Sequence, residues 1–312
     1  MPIVFMGTPG FAAHILDSLL KNHFNIVGVV TVADKPAGRG KKINESEVKK
    51  MAEQYQLPIL QPNNLKDPDF INALRKLNAE VFVVVAFRML PQAVWKIPAK
   101  GTFNLHASLL PQYRGAAPIN WAIINGEKST GVTTFFIDEK IDTGDIIAQV
   151  AIDIIPEDNA GSLHDKLMIL GAELVQKTIV NIDKNNIKTI KQTKEGALKE
   201  APKIFKEDCK IDWTQKGQYI ENFIKGMSPY PAAWCELNQG GKVSVIKIFE
   251  AFFEEETHEF KIGYIIKSKK WMKIAVKDGF IELLKIQLSG KRVMTVSEAL
   301  NGWQMKENTY MS

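Results

Sequence analysis

The chain is short of cysteine, of net charge and of long apolar runs, and each shortage removes a class of protein. Its two cysteines, Cys209 and Cys235, cannot build a disulfide framework and lack the C-x-x-C spacing of a redox or zinc motif. The five histidines, at positions 14, 23, 106, 164 and 258, show no ligand spacing, so no metal is expected. A formal net charge of +5 is well below what a protein held to nucleic acid by charge alone carries. It permits an RNA partner without demanding one. The longest apolar runs, such as 81–86, fall far short of the ~20 residues that span a bilayer, so no membrane partner is expected. The chain opens MPIVFMG into a strand-like segment, without the basic flank, apolar stretch and cleavage site of a secretory leader. The expected location is therefore the cytoplasm. No heptad or solenoid period appears and no large apolar surface stripe is legible, so a monomer is expected.

What is present describes a two-domain protein. A length of 312 residues exceeds one ordinary core and suits two domains of roughly 100–200 residues each. Short β-rich runs at 3–6, 26–32, 81–86, 102–105 and 132–137 alternate with amphipathic segments. That alternation predicts an α/β unit, a Rossmann-like parallel sheet with helices on both faces. Helices are expected at 12–20 and 161–180, the latter with Leu163, Leu167, Leu170 and Leu174 on one stripe. Near 181–210 the chain turns Lys- and Asn-rich and loses periodicity, which reads as an interdomain connection. A short helix at 218–225, a Ser228-Pro229-Tyr230-Pro231 turn and alternating strands at 242–249, 261–266 and 271–276 then predict a small antiparallel β-barrel, OB-like in kind. The expected domains are 1–182, a linker at 183–203, and 204–312.

Chemistry concentrates at 101–115, which reads G-T-F-N-L-H-A-S-L-L-P-Q-Y-R-G. Strand alternation puts Asn104 and His106 on one face, just before a Pro/Gly-rich loop. Ligands of open parallel sheets bind beyond the strands' carboxyl ends. An amide donor beside an imidazole there suits a reaction that develops an oxyanion and moves a proton. The strand at 132–137 leads into D-E-K-I-D-T-G-D-I, and Asp142 is expected just past its carboxyl end, where a carboxylate can orient His106.

A lone N-x-H is common. The string H-x-S-L-L-P-x-x-R-G, followed about 30 residues later by G-V-T and then D-T-G, is specific, and F-M-G-T-P-G-F-A-A opens the chain. In these segments the chain resembles the 10-formyltetrahydrofolate-using transferases, and within them those that formylate methionyl-tRNA. The likeness spans essentially the whole sequence. It implies a formyltransferase in which Asn104, His106 and Asp142 are catalytic and Ser108, Leu109, Leu110 and Pro111 contact the folate. It further implies 10-formyltetrahydrofolate as formyl donor, initiator methionyl-tRNA as acceptor and partner, and a C-terminal domain that binds tRNA. The amine would attack the formyl carbon, with Asn104 and a protonated His106 donating to the developing oxyanion.

The acceptor is read elsewhere. Residues 34–50 carry Lys35, Arg39, Lys41 and Lys42 on a Gly/Pro loop that resembles the inserted tRNA-contacting loop of the family, although a charge run is also what a solvated surface looks like. From 203 to 312 there are 17 Lys+Arg against 14 Asp+Glu, an excess of 17 − 14 = +3. With the acidic cluster 254–256 facing away from phosphate, Lys267, Lys269, Lys270 and Lys273 are the expected basic patch. Trp271 reads either as a stacking residue or as barrel core. Gly7-Thr8-Pro9-Gly10 lacks full G-x-G-x-x-G spacing and reads as a tight turn, not a nicotinamide site. The segment Ala86-Phe87-Arg88-Met89-Leu90-Pro91 departs from the family pattern, with Arg in place of Gly in a loop that normally lines the pterin pocket. The readings left beside this one are a formyl-folate enzyme with another acceptor and a non-catalytic RNA-binding protein.

Overall fold

A computed structural model describes the chain except residues 38–41, 194–195, 304 and 306–308. Its contacts form two units interleaved along the sequence: 1–115, 130–152 and 164–200 in the first, 116–129, 153–163 and 201–312 in the second.

The first unit is built on a seven-stranded sheet. In chain order the strands are β1 (Ile3–Gly7), β2 (Ile26–Val30), β3 (Ile59–Leu60), β4 (Val81–Val85), β5 (Thr102–His106), β6 (Ser129–Phe136) and β7 (Ile146–Asp153). Across the sheet they run β7-β6-β5-β4-β1-β2-β3. The five strands from β5 to β3 are parallel. β1 and β4, IVFMG and VFVVV, are buried at every position, as strands covered on both faces must be. Gly7 closes the turn into helix Gly10–Lys21: a Cβ there would lie 2.6 Å from Ala12 Cβ and 2.9 Å from the Val85 carbonyl oxygen. On helix Ala160–Asp183, Leu163, Leu167 and Leu174 are buried and Leu170 is half-buried. Gly171 lets this helix approach β5, since a Cβ would meet Leu105 Cδ2 at 2.7 Å.

The Rossmann-like, parallel-dominated sheet is as expected, and its far edge departs from expectation. β6 runs antiparallel to β5, with Phe103 opposite Phe136 and His106 opposite Thr133. The intervening helix Pro118–Ile124 is what a parallel crossover would show, but it falls within the second unit. Nor is 183–203 a bare connection: Ile190 and Ile146 exchange backbone hydrogen bonds of 2.8 and 2.9 Å, which brings this stretch beside the sheet edge.

The second unit is an antiparallel barrel of β8 (Ala233–Gln239), β9 (Lys242–Glu255), β10 (Ile265–Lys267), β11 (Met272–Val276), β12 (Gly279–Leu288), β13 (Met294–Thr295) and β14 (Tyr310–Met311). The order is β10-β11-β12-β9-β8-β14, with β13 beside β12. β14 also meets the segment preceding β10, where the Met311 N–H donates to the Gly263 carbonyl at 3.0 Å, so the sheet nearly closes. The strand expected at 261–266 begins only at Ile265, because Gly263 turns the chain at φ 82° and a Cβ there would lie 2.2 Å from the Met311 carbonyl oxygen. Helix Gly217–Met227 packs its Ile220 and Ile224 into a core with Trp213, Ile246, Ile274 and Ile281. Cys209 and Cys235 are both free and buried.

Candidate functional site

β5 ends with Asn104 half-buried and His106 buried at 6% exposure. The His106 Nε2 lies 2.8 Å from the Tyr113 carbonyl oxygen. A carbonyl only accepts, so Nε2 carries a proton and donates, and the other ring nitrogen is the one turned to the site. Nδ1 faces Asp142, whose Oδ2 is 3.8 Å away. That is beyond a direct hydrogen bond and within ion-pair range for a protonated ring. Asp142 Oδ2 also accepts the Gly115 N–H at 3.0 Å. Among the described residues the Asn104 amide has no hydrogen-bond partner, which leaves its donors available to a ligand.

Asp142 reaches His106 by a route that strand counting does not foresee. Because β6 is antiparallel, its carboxyl end lies beside the amino end of β5, away from His106. The loop after β6 turns back toward the other end, and Asp142 takes a left-handed φ of 54°. Gln192 Nε2 donates to the carbonyls of Asp142 (3.0 Å) and Gly144 (2.8 Å), while its Oε1 accepts from Arg114 Nε (3.0 Å) and Nη2 (2.6 Å). Arg114, Thr143 and Gln192 help line a surface pocket of about 400 Å³ next to this loop.

The Ser108–Pro111 segment is a tight turn closed by Ser108 Oγ donating to the Gln112 carbonyl at 2.7 Å, with Leu110–Pro111 cis. Thr133, on the antiparallel strand, secures it. Its Oγ1 donates to the Ser108 carbonyl (2.6 Å) and accepts from the Leu110 N–H (3.1 Å) and Gln149 Nε2 (2.9 Å). Gln149 Nε2 also donates to the Leu110 carbonyl at 2.9 Å. Ser108 and Leu110 are buried and shape the turn, whereas Leu109 and Pro111 are half-buried and offer surface to a ligand. Gln149 and Gln192 carry no motif, and Thr133, although it ends the G-V-T string, had no role assigned to it; sequence reasoning missed the part that all three play.

Arg88, the unexpected residue in the loop after β4, donates to the carbonyls of Pro62 and of Asn63 (3.1 Å for the latter) and lies over the Phe87 ring. It thereby ties this loop to the chain beyond β3, at an open cleft of about 830 Å³ that Asn63, Met89 and Pro91 also line.

Of the acceptor-loop residues, Lys35 is exposed on a hairpin in which Lys35–Ala37 pairs with Lys42–Asn44. Arg39 and Lys41 lie outside the described residues, and Lys42 is described only as strand backbone. The hairpin's base is an ion cluster. The Lys49 ammonium and the Gln61 amide hold the Asp34 carboxyl below the usual carboxylate range, and Asp34 and Glu45 push Lys49 well above the ordinary lysine value.

In the second unit Lys267, Lys269 and Lys270 are exposed, but Lys273 is paired with Glu254 and 4.0 Å from Glu282. The acidic cluster therefore does not stand apart from the basic patch: β11 and β12 are neighbours, and Glu254 comes from the other side of β12. Trp271 is not barrel core. It is 36% exposed, with Lys273 Nζ 5.4 Å from its ring centroid. Among the described residues no three His, Cys, Asp or Glu side chains converge as a metal-binding group, and no helix is long and apolar enough to cross a membrane.

Residues 1–179 match the family model described as Formyl transferase, and residues 203–304 that described as Formyl transferase, C-terminal domain. Over 300 residues the chain is 57% identical to a methionyl-tRNA formyltransferase of Flavobacterium johnsoniae, covering 96% of this chain and 95% of that protein. Over 310 residues it is 52% identical to a methionyl-tRNA formyltransferase of Bacteroides fragilis, covering 98% and 96%. Among solved structures, an N-formyltransferase from Helicobacter canadensis in complex with folinic acid and dTDP-3-aminofucose matches with a TM-score of 0.61 at 22% identity, covering 90% of this chain and 97% of that one. At that identity the match shows the fold alone.

Proposed function

The chain belongs to the formyl transferase family, and we propose that it transfers the formyl group of 10-formyltetrahydrofolate to the α-amino group of methionyl-initiator tRNA, for translation initiation. The naming of relatives at 57% and 52% identity over nearly the full chain supports the acceptor. The observation that carries the chemistry is the approach of Asp142 to within 3.8 Å of a His106 ring whose far nitrogen is already committed to Tyr113.

The attacking group is the neutral α-amine, whose ordinary pKa near 7.7–8.0 leaves an appreciable neutral fraction at physiological pH. Its nitrogen lone pair forms the new C–N bond, and the carbonyl π pair moves onto the formyl oxygen. The Asn104 amide and a protonated His106, through Nδ1, donate to that oxyanion. Collapse restores the carbonyl and breaks the bond to the folate nitrogen. That nitrogen takes up a proton while the former amine loses one, and Asp142 relays it through water. No metal is needed for this sequence, since side-chain donors meet the oxyanion. The folate lies against the 108–111 turn, touching Leu109 and Pro111 directly. In this reading residues 1–182 carry formyl transfer, and 204–312 hold the tRNA together with Lys35, Arg39, Lys41 and Lys42.

The test is transfer of labelled formyl from 10-formyltetrahydrofolate to purified methionyl-initiator tRNA, run beside uncharged tRNA, free methionine and an amino-sugar nucleotide. Label should enter methionyl-tRNA alone. Preferential labelling of the sugar would replace the acceptor, and no consumption of the folate would favour a non-catalytic RNA-binding role.

A further inference from the structure

We propose that Gln192, oriented by Arg114, is a positioning residue for catalysis that holds the Asp142 loop in its reactive conformation. The inference rests on the assignment of Asp142 to formyl transfer. Asp142 sits on a loop that doubles back from the far end of the sheet and adopts a left-handed backbone at φ 54°. Such a conformation is unfavourable for an L-residue, so the surroundings must help maintain it. The Asp142 carboxylate is tied to Gly115, and the loop is stapled within itself by Asp138, which accepts from the Lys140 N–H at 3.0 Å and from Thr143 Oγ1 at 2.8 Å. Neither tie restrains the Asp142 and Gly144 carbonyls. Gln192 does, with one amide nitrogen donating to both.

The direction of that amide is not arbitrary. Arginine has only donors, so the Gln192 oxygen must face Arg114, and its NH₂ is thereby aimed at the two carbonyls. Two bonds from a full positive charge also polarise the amide and strengthen its donors. The chain of hydrogen bonds runs from Arg114, just after the 108–111 turn, through Gln192 to the backbone of Asp142, and so couples the turn that faces the folate to the carboxylate that faces His106.

The test is steady-state formyl transfer by Gln192→Glu, Gln192→Met and Arg114→Met, with Asp142→Asn and the Gln192→Glu/Asp142→Asn double variant. Glutamate keeps an oxygen for Arg114 but sets acceptors against two carbonyls, so shape is conserved while the restraint reverses. Misplacement by about 1 Å costs up to ~10² in rate. The kcat of Gln192→Glu and Gln192→Met should fall roughly tenfold or more, with KM for tRNA within about twofold and the urea midpoint little changed. Arg114→Met should lose less, because the donors remain. In the Asp142→Asn background, Gln192→Glu should add almost nothing, since it acts through Asp142. Full multiplication of the two losses, or near-normal kcat in both Gln192 variants beside a crippled Asp142→Asn, overturns the clamp. Near-normal turnover by Asp142→Asn instead removes Asp142 from the mechanism, and the clamp with it.

Discussion

Thr133→Val should destabilise the first unit more than Thr133→Ser, the reverse of what packing alone dictates. Valine matches threonine in volume and would be the benign choice if Thr133 were simply a buried β-strand residue. Its hydroxyl, however, is the joint between β6 and the turn that follows β5: one donor to the Ser108 carbonyl, and acceptor to the Leu110 N–H and Gln149 Nε2. Residue 133 is fully buried, so water cannot replace these bonds. Leaving a buried polar group unpaired costs about 1–3 kcal/mol, and Ser108 O and Leu110 N–H are both stranded, which gives roughly 2–6 kcal/mol. Gln149 can shift wholly to the Leu110 carbonyl, which holds the expected loss near the lower end, about 2–3 kcal/mol. Serine keeps the hydroxyl and loses one methyl, worth about 0.8 kcal/mol plus a small cavity. Urea titration of the three proteins gives the order directly, and KM for 10-formyltetrahydrofolate should rise in Thr133→Val while staying near wild type in Thr133→Ser. Equal or greater stability of the valine protein would refute the network.

The other expectations concern separate parts of the molecule. Asn104→Ala and His106→Ala should each lower kcat by about 10²–10³, the loss typical of one oxyanion donor, with KM for tRNA nearly unchanged in initial-rate assays. Replacing Lys35, Arg39, Lys41 and Lys42 together by alanine should raise KM for tRNA and leave KM for the folate alone. It should also flatten the logarithmic salt dependence of tRNA binding by roughly 0.7–0.9 for each phosphate no longer neutralised, as read by filter binding from low to high salt. Burial pushes the Cys235 thiol up to about 12, whereas the unfolded thiol ionises near 8.5–9. Between those values the unfolded chain releases a proton that the folded chain keeps, so stability is lost as pH rises, by about 1.4 kcal/mol per pH unit from this group. Cys235→Ala should show a shallower alkaline decline in denaturation midpoint, and identical slopes would remove Cys235 as a source of it.

The parts of this fold that were legible in the sequence are those set by local pattern. Runs such as Val81–Val85 announce strands buried on two faces, and the 101–115 string places an amide and an imidazole at the end of one of them. The direction of β6 was not legible. Twenty-two residues containing Pro118–Ile124 separate it from β5, counting 107 to 128, and such a length with a helix is what a parallel crossover requires. That helix joins the second unit instead, a long-range property that no local pattern carries. The side of the strand end on which Trp271 lies was not legible for a related reason. The alternation around it is correct for a strand, but Met272 faces the barrel interior and puts Trp271 outside.

The antiparallel direction of β6 explains why the candidate site has more parts than its motif. Had β6 been parallel, Asp142 would emerge at His106 from the strand end and need no further support. Antiparallel pairing sends the strand's carboxyl end away, so a returning loop with a left-handed residue has to bring the carboxylate back, and such a loop needs restraints from outside itself. The same pairing sets Thr133 opposite His106, where its hydroxyl can lock the 108–111 turn. Thr133 and Gln192 thus follow from one topological fact. Neither role is legible from a string, even for Thr133 at the end of G-V-T, because each acts on backbone carbonyls and amides, groups that every residue carries and that only the fold brings within reach.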